Sequence, residues 1–393
     1  INGGKGGDNI AIRVDSGAVV TINSGVYTVG ADANGLANST IYITGSGKVT
    51  INGGTFSSEA AYKGKYYVLN LNNSSSGTFE VNGGTFKNFD PLQGDDNLGG
   101  NFASEGHGAN VDYEGNFTIV AGVVAQLKGK DGKSIKAYAT LAEAVEAAQN
   151  GDAITLLTDI DLDEQIETGR AITIDGQNKY TIKATKKLVG ASNKAGMFYR
   201  IQSAKGTLTF LNVTLDGNGF SKIFLNEGGA GETVFDGVTS VNGGGIAYGS
   251  GIHISGGGSH ATIKNSTLTG STGTTELSEA NYYAANDLWV GGNVYVTIEN
   301  STIGYIFVNS APSATATNGV VHGQLTITGA NTKITYLSGE EESADKVDKF
   351  GNNGSLVKID SGSVDTIFDK GSYAISGGAF KTVIKTQYCA DGF

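Results

Sequence analysis

At 393 residues and 39% hydrophobic content the chain is long enough for more than one packed core, which excludes a disordered polymer. A net charge of -11 repels nucleic acid and anionic lipid, and no apolar run approaches a membrane span, so nucleic-acid binding and membrane insertion are both argued against. The 61 glycines, about twice the usual share, and only 2 prolines describe a chain dense in turns whose strands need their N–H groups.

From residue 1 to about residue 88 one phrase recurs. Its fullest form is Val49-Thr50-Ile51-Asn52-Gly53-Gly54-Thr55-Phe56, rewritten as Phe79-Glu80-Val81-Asn82-Gly83-Gly84-Thr85-Phe86 and, more loosely, as Thr21-Ile22-Asn23-Ser24-Gly25-Val26-Tyr27. The opening Ile1-Asn2-Gly3-Gly4 repeats its middle and lacks an initiator Met, so the sequence is expected to begin inside a coil, with residues upstream of it. A closing unit follows, in which Gly83-Gly84-Thr85-Phe86-Lys87 leads through Asp90-Pro91 to Phe102-Ala103-Ser104-Glu105-Gly106-His107. Asn116 to Val120 reads as a last strand, and residues 123–138 as a polar connection rich in Gly and Lys.

Thr140-Leu141-Ala142-Glu143 is a capping box that opens the one clear helix, near residues 140–149. Leu141, Ala144, Val145 and Ala148 share a face, and Asn150-Gly151 stops the run, as suits a lid over an open solenoid end. Ala153 to Leu157 and Ile172 to Ile174 are the next strands, and weaker copies of the phrase follow at Leu208 to Leu215, Thr262 to Leu268, Thr297 to Ile303 and Ala374 to Phe380. Excursions near 186–205, 243–258, 270–287 and 339–353 separate them. The chain ends on a second closing unit, Gly377-Gly378-Ala379-Phe380-Lys381 leading to Tyr388-Cys389-Ala390-Asp391-Gly392-Phe393, in which Phe393 takes the place of His107.

Alternating β-branched residues make a short strand with one apolar face, and Asn-Gly or Gly-Gly supplies the turn. The key apolar position recurs at Ile22, Ile51 and Val81, intervals of 29 and 30, and at Ile263, Ile298 and Ile327, intervals of 35 and 29. Repeats of that length without intervening helices predict an all-β, right-handed parallel β-helix solenoid, with Asn23, Asn52 and Asn82 stacked at one corner. An antiparallel sandwich is the competing reading. Two closing units imply two tandem β-helices: residues 1–122 as the last coils of a first, 123–138 as the connection, and 139–393 as a second with its helical cap.

The run from Ala139 through Leu157, with Ile172-Thr173-Ile174-Asp175-Gly176, resembles the N-terminal cap and first coils of pectate-lyase-like right-handed β-helices. The Gly-Gly-x-Phe closing units are similar to those of secreted or surface β-helix proteins of gut bacteria, many of them adhesin-like. The resemblance implies an extracellular or cell-surface bacterial protein. Lyases, glycosidases, adhesins and phage tail appendages share this fold, so it does not choose an activity.

The enzymatic candidates are Asp95, Asp96 and His107, since polygalacturonase-like hydrolases carry paired aspartates before Gly-His-Gly, as in Gly106-His107-Gly108. The correspondence of His107 with Phe393 marks it instead as a variable position of a structural cassette. A lyase would need clustered carboxylates for Ca²⁺ and an arginine base, and the arginines, Arg13, Arg170 and Arg200, lie in no recognisable motif. Asp159, Asp161 and Asp163 alternate and would present oxygens on one strand face, or simply form that strand's solvent side. Histidines His253, His260 and His322 lack metal-ligand spacing to one another or to Cys389, whose solitary thiol rules out an internal disulfide framework. Tyr62, Tyr66, Tyr67, Tyr282, Tyr283 and Trp289 sit in or beside excursions, where rings stack on sugars or anchor their own loops; the residues favour anchoring. The expectation is a monomeric, non-enzymatic, adhesin-like module with no cofactor, touching a glycan or host-surface ligand through inserted loops. A polysaccharide lyase or hydrolase acting on uronate polymers, and a structural spacer or phage appendage, are the alternatives.

Overall fold

A computed structural model describes residues 2–3, 9–30, 38–59, 61–62, 65–93, 100–191, 194–201, 204–227, 231–245, 251–255, 258–272, 285–309, 323–340, 355–368 and 371–393. The chain is all-β, about half strand with one α-helix among the described residues, and its parallel sheets form a β-solenoid of about 10 turns. It divides into two compact units, Ile1–Ala144 and Val145–Phe393.

In the first unit each coil contributes three strands, and three parallel ladders result. Ile10–Val14, Ser39–Ile43 and Leu69–Leu71 form one; Val19–Ile22, Lys48–Ile51 and Thr78–Val81 the second; Val26–Val29, Thr55–Ser58 and Thr85–Lys87 belong to the third. The recurring phrase sets the register, for Ile22 pairs with Ile51 and Ile51 with Val81, all three buried. Tyr27, Phe56 and Phe86 stack in the same order, with ring centroids 5.2 and 5.0 Å apart. The predicted asparagine ladder is present: Asn52 donates to Asn23 at 2.9 Å and Asn82 to Asn52 at 3.0 Å, and the Ser104 hydroxyl ends the chain on Asn82 at 2.6 Å. Parallel pairing of these phrases excludes the antiparallel sandwich.

Two antiparallel hairpins follow. The expected last strand is present as Asn116–Ala121, and it pairs antiparallel with His107–Val111 on one side and Thr85–Lys87 on the other. The supposed polar connection is itself a hairpin, Ala125–Lys128 against Ser134–Tyr138. Its loop is closed by Lys133 N–H donating to Asp131 Oδ1 and Gly129 N–H to the Lys133 carbonyl, a turn that the lysines and glycines had disguised as linker.

The helix runs Leu141–Ala147, and its capping box is reciprocal: Glu143 N–H donates to Thr140 Oγ1 and Thr140 N–H to Glu143 Oε2, both at 3.2 Å. Leu141, Ala144, Val145 and Ala148 are buried as the periodicity requires, and Gly151 turns away at φ 92.

The second unit also winds three strands per coil. One ladder runs Ala153–Leu156, Thr173–Asp175, Thr207–Leu211, Glu232–Asp236, His260–Lys264, Tyr295–Glu299, Gln324–Thr328, Leu356–Ile359 and Ser372–Ile375. Each strand from Thr207–Leu211 to Gln324–Thr328 is followed by a residue with positive φ, in turn Asn212, Gly237, Asn265, Asn300 and Gly329, before the next face begins at Thr214, Thr239, Thr267, Thr302 and Lys333. Asparagine and glycine fill the corner because they tolerate left-handed backbone at least cost. The third face is the stack Ile166–Thr168, Phe198–Arg200, Phe224–Glu227, Ile252–Ser255 and Leu288–Val290, continued by the later halves of Thr302–Val308 and Lys333–Gly339. Inside, Phe198, Phe210, Phe224 and Phe235 pack ring against ring at 4.9 to 5.8 Å.

Candidate functional site

Strand alternation on this third face determines what points outward. Ile166, Phe198, Phe224, Ile252, Leu288 and Ile306 are in register and buried, so the row beside them, Glu167, Tyr199, Leu225, His253, Trp289 and Phe307, lies on the opposite side of the sheet. His253 and Trp289 stack with centroids 5.1 Å apart and planes 21° from parallel. Phe307 meets Trp289 edge-on at 4.7 Å. Trp289 is half-buried, whereas Tyr199, Leu225 and Phe307 are buried.

The buried Lys222 places Nζ 3.0 Å from His253 Nδ1. An ammonium has protons to give and no lone pair, so Nδ1 accepts and the imidazole proton resides on Nε2. Burial, then the neighbouring lysine charge, hold the His253 pKa well below its ordinary value, so the stacked ring is neutral. The result is a stacked His253–Trp289 pair braced edge-on by Phe307, with an imidazole N–H at one edge and the lysine held on the Nδ1 side.

Asp287, just before this strand, ties the site to its surroundings. Its Oδ1 accepts the Ser271 N–H and its Oδ2 the Tyr305 N–H, each at 2.9 Å. Its carboxyl is buried, and burial pushes its pKa up to about 6 against the opposing effect of those two hydrogen bonds.

No family model, curated protein or solved structure matches this chain.

The arginines are engaged in holding the fold. Arg13 pairs with Asp15 at 2.9 Å on the surface. Arg170 Nη1 donates to the carbonyls of Val145, Glu146 and Ala148, satisfying the helix C-terminus that no residue of the helix itself can satisfy. Arg200 points into the coil, 1% exposed, and donates to the Gly206 and Glu232 carbonyls and to Thr233 Oγ1.

Of the other sequence candidates, Asp95, Asp96, Tyr282, Tyr283 and His322 lie outside the described residues, as does the side chain of Tyr62. Tyr66 and Tyr67 are half-buried, Tyr66 in the short hairpin Ala61–Tyr62 with Lys65–Tyr66. His107 is half-buried, with Nδ1 2.9 Å from the Glu105 carbonyl at the start of its strand. The three alternating aspartates do not converge. Asp159 Oδ1 accepts the Thr181 N–H, Asp161 faces out beside Lys183, and Asp163 borders a polar cleft of about 410 Å³ shared with Glu164, Gln165, Lys186 and Lys187. Among the described residues no three His, Cys, Asp or Glu side chains gather to hold a metal.

The sequence singled out Trp289, set His253 aside for want of metal-ligand spacing, and left Lys222 and Phe307 beside them unmarked. Their own strands carry the signal, since Ile252-His253-Ile254 and Leu288-Trp289-Val290 each set one ring between two core residues. What hides the row is spacing, because excursions of unequal length between Tyr199, Leu225, His253, Trp289 and Phe307 erase any period.

Proposed function

We propose that this chain is a non-enzymatic, extracellular or cell-surface bacterial β-helix protein, adhesin-like, that contacts a glycan or host-surface ligand through its third face. The observation that carries this reading is the half-buried Trp289 on the outer side of a rigid parallel sheet, with His253 stacked on it and Phe307 bracing it edge-on. Sugars dock on exposed rings by laying their C–H faces on them, while a neutral imidazole N–H serves a hydroxyl. Long inserted stretches of sequence lead from Thr267–Thr269 into the third-face strand Leu288–Val290 and from Thr302–Val308 and Lys333–Gly339 to the first strand of the next coil, and inserted segments on a repeat scaffold are where recognition concentrates.

Two finer features of the fold belong to the same proposal. The coils are right-handed, since parallel strands joined through a crossover take that hand almost without exception. The two units are successive β-helices, each with its own closing unit. The pectate-lyase-like kinship stays a likeness of coil and cap, and the lyase or hydrolase alternative is weakened by Arg170 and Arg200 being engaged with backbone carbonyls. A spacer or phage appendage with no ligand of its own is the remaining alternative.

A glycan and host-glycoprotein array probed with the full chain and with Trp289→Ala tests the reading. Binding by the parent chain that drops at least about tenfold in the variant, with unfolding unchanged, supports it. An array without signal, or with a signal indifferent to Trp289, removes it.

A further inference from the structure

Beyond Trp289 and Phe307 the outer side of the third face carries more rings. Ile306 and Leu337 point inward and are buried, and Ile367 follows them in register. On one side of that inward row lie Phe307 and Ser338, and Phe368 extends the series, because its N–H donates to the Leu337 carbonyl at 2.9 Å as the next rung of the ladder requires. Trp289, Phe307, Ser338 and Phe368 therefore succeed one another on four adjacent coils. On the other side lie Tyr305, Tyr336 and Thr366.

Tyr305, Tyr336 and Phe368 form a second cluster of rings. Tyr336 and Phe368 stack with centroids 6.2 Å apart and planes 20° from parallel, and Tyr305 meets both edge-on at 6.3 Å. Tyr336 is 38% exposed and Phe368 half-buried, whereas Tyr305 and Phe307 are buried. Rings thus reach the surface at Trp289 and again at Tyr336 and Phe368, with buried rings between. Three strand spacings separate Trp289 from Phe368, about 14 Å.

The span is uncharged. Trp289, Phe307, Ser338 and Phe368 in one row and Tyr305, Tyr336 and Thr366 in the other carry no ionised side chain. Asp287, just before the strand of Trp289, is buried with one carboxylate oxygen on the Ser271 N–H and the other on the Tyr305 N–H. Lys222 is buried against His253, one coil outside the span. A polyanion laid between the two ring sites would meet no cation in either row to pair its carboxylates.

We propose, building on the glycan reading, that the ligand of this face is an uncharged linear oligosaccharide of about four sugars, lying across the strands with one end on Trp289 and the other on Tyr336 and Phe368. A single sugar ring is too short to touch both sites. Once a chain is long enough to reach the second site, that contact forms at an effective concentration set by the chain itself, so affinity climbs at a defined length.

The test titrates the full chain with ladders of β-linked glucose, mannose, xylose and N-acetylglucosamine, from the monosaccharide to the hexamer, and with an oligogalacturonate ladder as the anionic counterpart. At least one uncharged ladder should bind, the tetramer at least about tenfold more tightly than the dimer. Trp289→Ala and Tyr336→Ala should each abolish the gain from dimer to tetramer with thermal unfolding unchanged, and Tyr336→Phe should keep it. Phe368→Ala should act as Tyr336→Ala does, and serves where that variant does not fold. Binding that needs Trp289 yet does not grow with length, or is indifferent to both Tyr336→Ala and Phe368→Ala, overturns the proposal and leaves the glycan reading standing. Tighter binding of oligogalacturonate than of every uncharged ladder, or silent ladders beside an array signal that needs Trp289, does the same. Silence of ladders and array alike removes both.

Discussion

The side-chain amide of Asn52 donates to Asn23 Oδ1 at 2.9 Å while its own Oδ1 accepts from Asn82. An interior rung of this ladder therefore makes two hydrogen bonds and the Asn23 end makes one within it. Asn52→Ala should cost about 1–2 kcal/mol and Asn23→Ala about half that. Denaturant unfolding with an unchanged slope measures the difference, and equal costs would show that the ladder does not act along its length.

Glycine at position 83 is required by closeness, not by backbone angle. A Cβ there would sit 2.5 Å from the Asn52 carbonyl oxygen of the coil below, whereas at Gly132, at φ +78, it would meet nothing within 4 Å. Gly83→Ala should cost about 2 kcal/mol or more by forcing two coils apart. Gly132→Ala should cost about 1 kcal/mol, the ordinary penalty of left-handed backbone. Paired unfolding curves decide the order.

Arg170 serves three carbonyls at the end of Leu141–Ala147. Arg170→Met keeps the aliphatic stem and removes the donors, and should destabilise by about 1–3 kcal/mol. Lysine puts a cationic nitrogen back on a more flexible stem, at a different reach from the Nη1 that serves all three carbonyls, and should recover part of the loss. Denaturant midpoints for the three side chains test that ranking.

The buried Asp287 makes stability depend on pH in a stated direction. Its folded pKa is raised to about 6 from 3.8, so the fold takes up this proton more readily than the unfolded chain does. The stabilisation is complete below pH 3.8 and is lost as pH rises through 6, a change of roughly 3 kcal/mol. The difference in unfolding free energy between the parent chain and Asp287→Asn should therefore fall from pH 4 to pH 7. A difference that stays flat or rises would contradict the assignment.

Much of the coil architecture was legible because each phrase states its local structure in full. In Val49-Thr50-Ile51-Asn52-Gly53-Gly54 the strand, its inward face and its turn are consecutive, and near-constant spacing then forces Ile22, Ile51 and Val81 into register. The helix was equally plain, since a capping box and its four-residue apolar face are local too. The hairpin Ala125–Lys128 with Ser134–Tyr138 escaped, because its polar, lysine-rich loop has the composition of a linker and only strand pairing reveals otherwise.

By itself the sequence determined that strands would stack coil upon coil, since period, alternation and glycine placement are properties of neighbouring residues. Tertiary structure alone decided that His253, Trp289 and Phe307 meet on one outer row with Lys222 against His253, and that Arg170 and Arg200 serve backbone carbonyls. Those relationships join residues from different coils across excursions of unequal length, and the pairing of backbones in space, not distance along the chain, brings them together.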